Sequence, residues 1–175
     1  MRLLKDFSLR KKSETTFIKI DGAYERKTIY SPAEGKWMAL SEVPDEVFAS
    51  KALGDGIAIF PSIGKLYSPV NGKVTALFPT NHAVGMISED GMEILLHIGI
   101  DTVTMNGDGF QSYVTNDTDV KAGQLLIDFD INKIEKNGLN PCVMVLVTNH
   151  NELGRMTIER YTEVNCLQKI LSFSD

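Results

Sequence analysis

The chain has 175 residues, 43% of them hydrophobic and 23% charged, with a net charge of −5 at pH 7. That length suits one domain with a real core, and the acidic balance speaks against nucleic acid as a ligand, since phosphate binding needs clustered Lys and Arg. No apolar run reaches the roughly 18 residues of a membrane-spanning helix, and the first residues lack the features of a secretory signal, which points to the cytoplasm.

In chain order, residues 1–28 read as a flexible segment and residues 29–175 as a single domain. Arg2, Lys5, Arg10, Lys11 and Lys12 are interleaved with Leu3, Leu4, Phe7 and Leu9. Leu3, Leu4 and Phe7 fall at helical spacing. A basic amphipathic helix contacting an anionic membrane is one reading of this segment, and a solubilising tail is the other.

From residue 29 onward, short apolar or alternating runs (GIAIF, KVTAL, MEILLHIGI, QLLIDFD, CVMVLV) are separated by the turn signals SPAEG, SPVNG, NGDG and KAG. This pattern predicts an all-β fold, an antiparallel β-sandwich or barrel. Only PDEVFAS and INKIEKNG read as short helical turns. YSPAEGKWMAL at 30–40 recurs as YSPVNGKVTAL at 67–77, with seven identities in eleven positions, so the strand-turn-strand unit is duplicated. Cys142, inside PCVMVLV, reads as a buried thiol, and neither it nor Cys166 has metal-type spacing.

Two of the three histidines, His82 and His97, flank the turn signal SEDG between two β-like runs. A two-residue turn centred between Glu89 and Asp90 places His82 directly opposite His97, with Cβ atoms roughly 4.5–5.5 Å apart. Centring the turn on Asp90-Gly91 gives a diagonal offset on the same face, whereas a three-residue loop puts the rings on opposite faces. Alternation puts Ile94, Leu96, Ile98 and Ile100 on an apolar face and Glu93, Leu95, His97, Gly99 and Asp101 on the other. The expectation is that both imidazoles meet in a shallow outer patch of Val84, Met86 and Leu95, rimmed by acids. Imidazole suits two tasks there, nucleophile toward phosphorus or neutral ligand to zinc. Zinc needs a third ligand, for which His150 is a candidate if the fold brings it near. The phosphate-binding loop, the serine elbow and the H-E-x-x-H motif are all missing from the sequence.

At these residues the sequence resembles the glucose-type enzyme IIA of the bacterial phosphoenolpyruvate:sugar phosphotransferase system. The resemblance rests on VPDEVFASKALGDGIAI (43–59), SPVNGKV (68–74), TNHAVGMISEDGMEILLHIGIDTV (80–103), GDGF (107–110) and KAGQLLIDFD (121–130). It implies a β-sandwich with a duplicated motif and a phosphotransferase component, with His97 phosphorylated and His82 assisting. Thr80 and Gly99 match the family positions that orient the two rings. Asp45 and Asp101 match acids that meet Arg side chains of partners. Phe48, Leu53, Phe78 and Val103 match the apolar docking rim, to which the patch residues Val84 and Leu95 are added. The implied donor is the histidine phosphocarrier protein and the implied acceptor the B domain of a sugar permease. No cofactor is implied, and no metal is required, although the two histidines could hold zinc adventitiously. Residues 153–175 match the family's last strands poorly. Two other readings stand beside this one: a regulatory binding protein switched by phosphorylation, and a zinc hydrolase on a related duplicated β-fold.

Overall fold

The computed structural model describes residues 16–175. The basic stretch weighed as an amphipathic helix ends before Thr16 and lies outside the described residues. Residues 16–27, grouped by sequence with that stretch, run along the domain. Ile18 N–H donates to the Gly123 carbonyl at 2.9 Å. Further along, the Asp90 carboxylate accepts from Arg26 Nε at 2.6 Å and from Lys27 N–H at 2.9 Å.

The described residues form fourteen strands. The first seven are β1 (Thr28–Tyr30), β2 (Gly35–Ala39), β3 (Asp55–Pro61), β4 (Lys65–Tyr67), β5 (Gly72–Leu77), β6 (Ala83–Ser88) and β7 (Glu93–Ile98). The rest are β8 (Phe110–Ser112), β9 (Asp119–Val120), β10 (Leu125–Phe129), β11 (Val143–Val147), β12 (Arg155–Ile158), β13 (Glu163–Val164) and β14 (Lys169–Ser174). The two foreseen helical turns are α1 (Glu46–Ala49) and α2 (Ile131–Lys136). Three 3-10 turns add Leu40–Glu42, Thr102–Met105 and His150–Glu152. Among the described residues no helix is long and apolar enough to cross a membrane.

The expected antiparallel sandwich is present. Its eight-stranded sheet has the order β13-β2-β3-β11-β7-β6-β5-β9, and two three-stranded sheets have the orders β1-β14-β12 and β4-β10-β8. The large sheet reads symmetrically outward from its centre: β11 answers β7, β3 answers β6, β2 answers β5 and β13 answers β9. The small sheets answer each other in the same way. One half is continuous, β4 to β10, and is inserted between β3 and β11 of the other.

The duplicated sequence unit forms the seam between the halves. Tyr30 N–H donates to the Pro69 carbonyl at 3.1 Å, and Tyr67 N–H donates to the Pro32 carbonyl at 2.8 Å. Ser31 Oγ donates to the Ala33 carbonyl at 2.6 Å and Ser68 Oγ to the Val70 carbonyl at 2.7 Å. The glycine of each unit serves close approach: a Cβ on Gly35 would strike the Phe60 carbonyl and one on Gly72 the Ile87 carbonyl.

The repeat is longer than the sequence echo. Residues 163–174 take the role of 119–130: Ser31 N–H donates to the Gln168 carbonyl and Ser68 N–H to the Gln124 carbonyl, both at 2.8 Å. Gly123 and Leu167 occupy the matching left-handed corner, at φ 87° and 62°. The C-terminal stretch therefore completes the first half.

The main core lies between the sheets and holds Ile57, Ile59, Ile94, Leu96, Ile98, Val143, Val145 and Leu126. A smaller cluster of Leu40, Val43, Phe48, Ala58, Ile100, Cys142, Met144 and Leu146 sits on the outer side of β3 and β11. It is capped by α1 and the turn before it. Cys142 is fully buried there, and burial pushes its thiol up to about 12.

Ser31 and Ser68 are both fully buried, so removing either hydroxyl strands a buried carbonyl. Ser31→Ala and Ser68→Ala should each cost about 1–3 kcal/mol and, because the seam is symmetric, similar amounts. Chemical denaturation of the two variants checks this.

Candidate active site

The hairpin β6–β7 sets the geometry. Its partners are Ala83 with His97, Val84 with Leu96, Gly85 with Leu95, Met86 with Ile94 and Ile87 with Glu93. This is the register of a three-residue loop, Glu89-Asp90-Gly91, closed by Ser88 N–H to the Met92 carbonyl at 2.9 Å, with Gly91 left-handed at φ 83°. A glycine in that conformation at the third loop position is what such a loop demands.

Two expectations change as a result. Val84 and Met86 belong to the inner face and are 0% and 2% exposed in the main core, so Val84 is removed from the partner surface. His82 does not face His97 across the ladder either. The rings nevertheless meet, with centroids 4.9 Å apart and planes at 82°. The reason is that His82 precedes the first strand residue. Asn81 before it is left-handed at φ 56°, so the chain has left the pleat and alternation no longer dictates where the ring goes. The backbone stays tied, with Ile98 N–H donating to the His82 carbonyl at 2.7 Å.

His97 lies in a row of outward-facing residues across the sheet, in which Met38 pairs with Ala58, Ala58 with Met144, Met144 with His97 and His97 with Ala83. Helix α1 lies over this row. Phe48, expected on the apolar docking rim, is only 6% exposed, and its ring lies 5.0 Å from that of His97. Asp45 is the N-cap of α1 and accepts from Val47 N–H at 3.0 Å and Phe48 N–H at 3.3 Å, so its carboxylate holds Phe48 against the site. Phe78 stands edge-on to His82 at 5.6 Å and is 41% exposed. Leu53 and Val103 are exposed apolar residues, and Leu95 is half-buried against the outer cluster. Asp101 is exposed and left-handed at φ 58°, with no side-chain cap bond. Val47, next to Phe48 on α1, is a further exposed apolar residue.

Each ring is held through Nδ1. His97 Nδ1 lies 2.8 Å from the Gly99 carbonyl. A carbonyl only accepts, so Nδ1 carries the proton and the lone pair of the neutral ring is on Nε2. His82 Nδ1 is paired with Thr80 Oγ1 at 2.6 Å. Burial, helped by the neighbouring His82, pushes His97 down to about 4, against smaller upward pulls from the Gly99 carbonyl, Asp45 and Asp101. Burial also lowers His82. At neutral pH the pair is therefore two uncharged imidazoles, one of them with its Nε2 lone pair available.

His150 does not join them. It lies beyond Val147, whose partner on β7 is Ile94, while Met144 is the partner of His97. The preceding Asn149 accepts from Glu93 N–H at 2.9 Å, near the turn end of the hairpin. Among the described residues no three His, Cys, Asp or Glu side chains are grouped so as to hold a metal ion. The zinc hydrolase reading thus lacks its third ligand at this site.

Comparison with known proteins gives one family. Residues 27–153 match the model for the phosphoenolpyruvate-dependent sugar phosphotransferase system, EIIA 1. The chain is 44% identical over 153 residues to the beta-glucoside-specific EIIBCA component of Halalkalibacterium halodurans, covering 87% of this chain and 24% of that protein. It is 41% identical over 147 residues to the glucose-specific EIICBA component of Staphylococcus saprophyticus, covering 84% and 22%. Among solved structures, glucose permease IIA from Mycoplasma capricolum superposes with a TM-score of 0.77 at 38% identity, covering 82% of this chain and 93% of that one. The chain spans no more than about a quarter of the length of these curated relatives.

The depressed His97 makes stability pH-dependent. The unfolded chain, with an ordinary value of 6.5, binds a proton before the folded one does. Stability is therefore full above that value and falls as pH drops toward about 4. His97→Gln should flatten this part of the profile. Thermal midpoints measured across the window check it, and equal acid sensitivity in both proteins would contradict it.

Proposed function

The chain belongs to the EIIA 1 family of the phosphoenolpyruvate-dependent sugar phosphotransferase system, and on that footing we propose that it carries a phosphoryl group on His97. The donor is the histidine phosphocarrier protein and the acceptor is the B domain of a sugar permease. The observation that carries the reading is the pair of imidazoles with centroids 4.9 Å apart, each tied through Nδ1 to a neighbouring oxygen. Both Nε2 atoms are left for chemistry.

The Nε2 lone pair of His97 attacks phosphorus in line. The donor's N–P bond breaks, its electron pair returning to the donor imidazole, while the proton on His97 Nδ1 stays in place against the Gly99 carbonyl. That carbonyl faces the positive charge that develops as the new N–P bond forms. His82 need not be protonated to help. With the Thr80 hydroxyl donating into Nδ1, the neutral ring keeps its proton on Nε2 and donates it as a hydrogen bond to a phosphoryl oxygen.

The ring of Phe48 beside His97 and that of Phe78 beside His82 limit water at the P–N bond. Asp45 and Asp101 give the approach a negative field suited to a basic donor. Leu53, Phe78, Leu95 and Val103 supply the apolar contact. The whole exchange takes place in the cytoplasm.

His97→Ala should abolish phosphoryl acceptance, whereas His82→Ala should still accept but pass the group on roughly 100-fold more slowly or worse. Intact mass after incubation with phosphoenolpyruvate, enzyme I and the phosphocarrier protein, repeated after mild acid, reads acceptance. An acid-labile adduct on the His97→Ala protein would sink the assignment.

A further inference from the structure

We propose that Thr102 is a positioning residue that sets the tautomer of His97, an inference that rests on His97 being the phosphoryl acceptor. Thr102 is fully buried at the start of the 3-10 turn that follows β7. It touches neither imidazole in the hydrogen-bond network and acts through the backbone between them.

That backbone is the short stretch 98–100, and it ties the two histidines together. Ile98 N–H holds the His82 carbonyl at 2.7 Å, and the Gly99 carbonyl holds His97 Nδ1 at 2.8 Å. The intervening groups are fixed from outside. Gly99 N–H donates to the Cys142 carbonyl at 2.8 Å and Ile100 N–H to the Asn140 carbonyl at 2.9 Å. Asn140 is itself braced, its Oδ1 accepting from Cys142 N–H at 2.9 Å. The Ile98 carbonyl is the point held by a side chain, the hydroxyl of Thr102. The Thr102 methyl stands where a Cβ on Gly99 would be.

Gly99 transmits the effect. It lies at φ 75°, a region glycine enters freely and also leaves freely, because no Cβ confines it. The direction of its carbonyl therefore depends on what brackets it. Asn140 anchors only the N–H end of the peptide after Gly99, whose carbonyl end faces His97, while Cys142 and Thr102 hold the N–H and carbonyl ends of the peptide before it. Without the hydroxyl, the buried Ile98 carbonyl has no partner, and the 98–99 peptide gains by turning toward another donor. The turn is passed on at Gly99, so the 99–100 peptide tilts about its Ile100–Asn140 hydrogen bond and the Gly99 carbonyl moves off His97 Nδ1. Once that acceptor is lost, the ring proton is free to sit on Nε2, which occupies the lone pair that must attack phosphorus. Thr102 thus controls the reaction by keeping the nucleophilic nitrogen unprotonated.

Nitrogen-15 spectra of the His97 ring near neutral pH, together with the rate of phosphoryl acceptance from the phosphorylated phosphocarrier protein, test this on the full chain. Thr102→Val keeps the shape and removes the hydroxyl. It should convert His97 from the Nδ1–H form to a mixture and slow acceptance by roughly tenfold or more. Thr102→Ser keeps the hydroxyl and should restore both within about twofold. Thr102→Ala carries the same expectation as valine and serves if the valine variant does not fold.

A folded valine or alanine variant with an unchanged Nδ1–H ring and an unchanged rate overturns the proposal. So does a serine variant as slow as the valine one, which would transfer the role to the methyl group. If wild type itself gains no phosphoryl group, the acceptor assignment fails, while the tautomer comparison still decides whether Thr102 sets the ring.

Discussion

The antiparallel pairing of β7 with β11, from Ile94–Val147 to Ile98–Val143, is the contact on which the molecule is organised. It joins two halves that otherwise fold alike and places one strand of each at the middle of the eight-stranded sheet. A central strand is held by hydrogen bonds on both edges, and β7 is packed along its whole inner face, so its side chains stand at fixed positions. His97 lies near the end of this strand, where rigidity of the ladder gives way to the loop residues that hold the ring. The proposed transfer, which aligns two imidazoles with an incoming phosphorus, draws on that precision.

Symmetry accounts for the scaffold, and departure from symmetry accounts for the site. The connection from β2 to β3 spans residues 40–54 and carries α1, which seals the outer face of its half with Leu40, Val43 and Phe48. The answering connection from β5 to β6 spans only residues 78–82. It is too short to cover anything, and it brings Thr80, Asn81 and His82 to the edge of the sheet instead. His97 sits between the covered and the uncovered half, so Phe48 reaches it from one side and His82 from the other.

The chemistry of the pair comes from this partial enclosure. Burial disfavours a charge on either ring, and the neighbouring His82 adds to that effect at His97. Two histidines in contact are thus kept neutral without any nearby base. Neutrality alone does not select the reactive nitrogen. That choice falls to the oxygen facing each Nδ1, the Gly99 carbonyl for His97 and the Thr80 hydroxyl for His82, and so to backbone geometry set by residues outside the site.

Much of this is legible in the chain itself. Alternation in MEILLHIGI puts His97 on the outer face with Leu95 and Glu93, because a strand's period of two leaves no other choice once one face is apolar. The paired YSP units announce a duplication, since turn chemistry is local and survives as sequence. Features that arise from contacts between distant residues are not legible in the same way. The register of the hairpin hinges on whether Gly91 enters the left-handed region, and Val84 changes faces with it. The match between 119–130 and 163–174 keeps few identities, since a repeated backbone path needs only alternation and a corner, which Gly123 and Leu167 both provide. The class of fold, the duplication and the two histidines are thus set within the sequence, all of them resting on local periodicity and residue chemistry. Three features come only with the folded chain: the rings meet through a bend at Asn81 rather than across a ladder, Phe48 is a wall of the site, and Nε2 is the free nitrogen of His97. Each depends on where another part of the chain comes to rest.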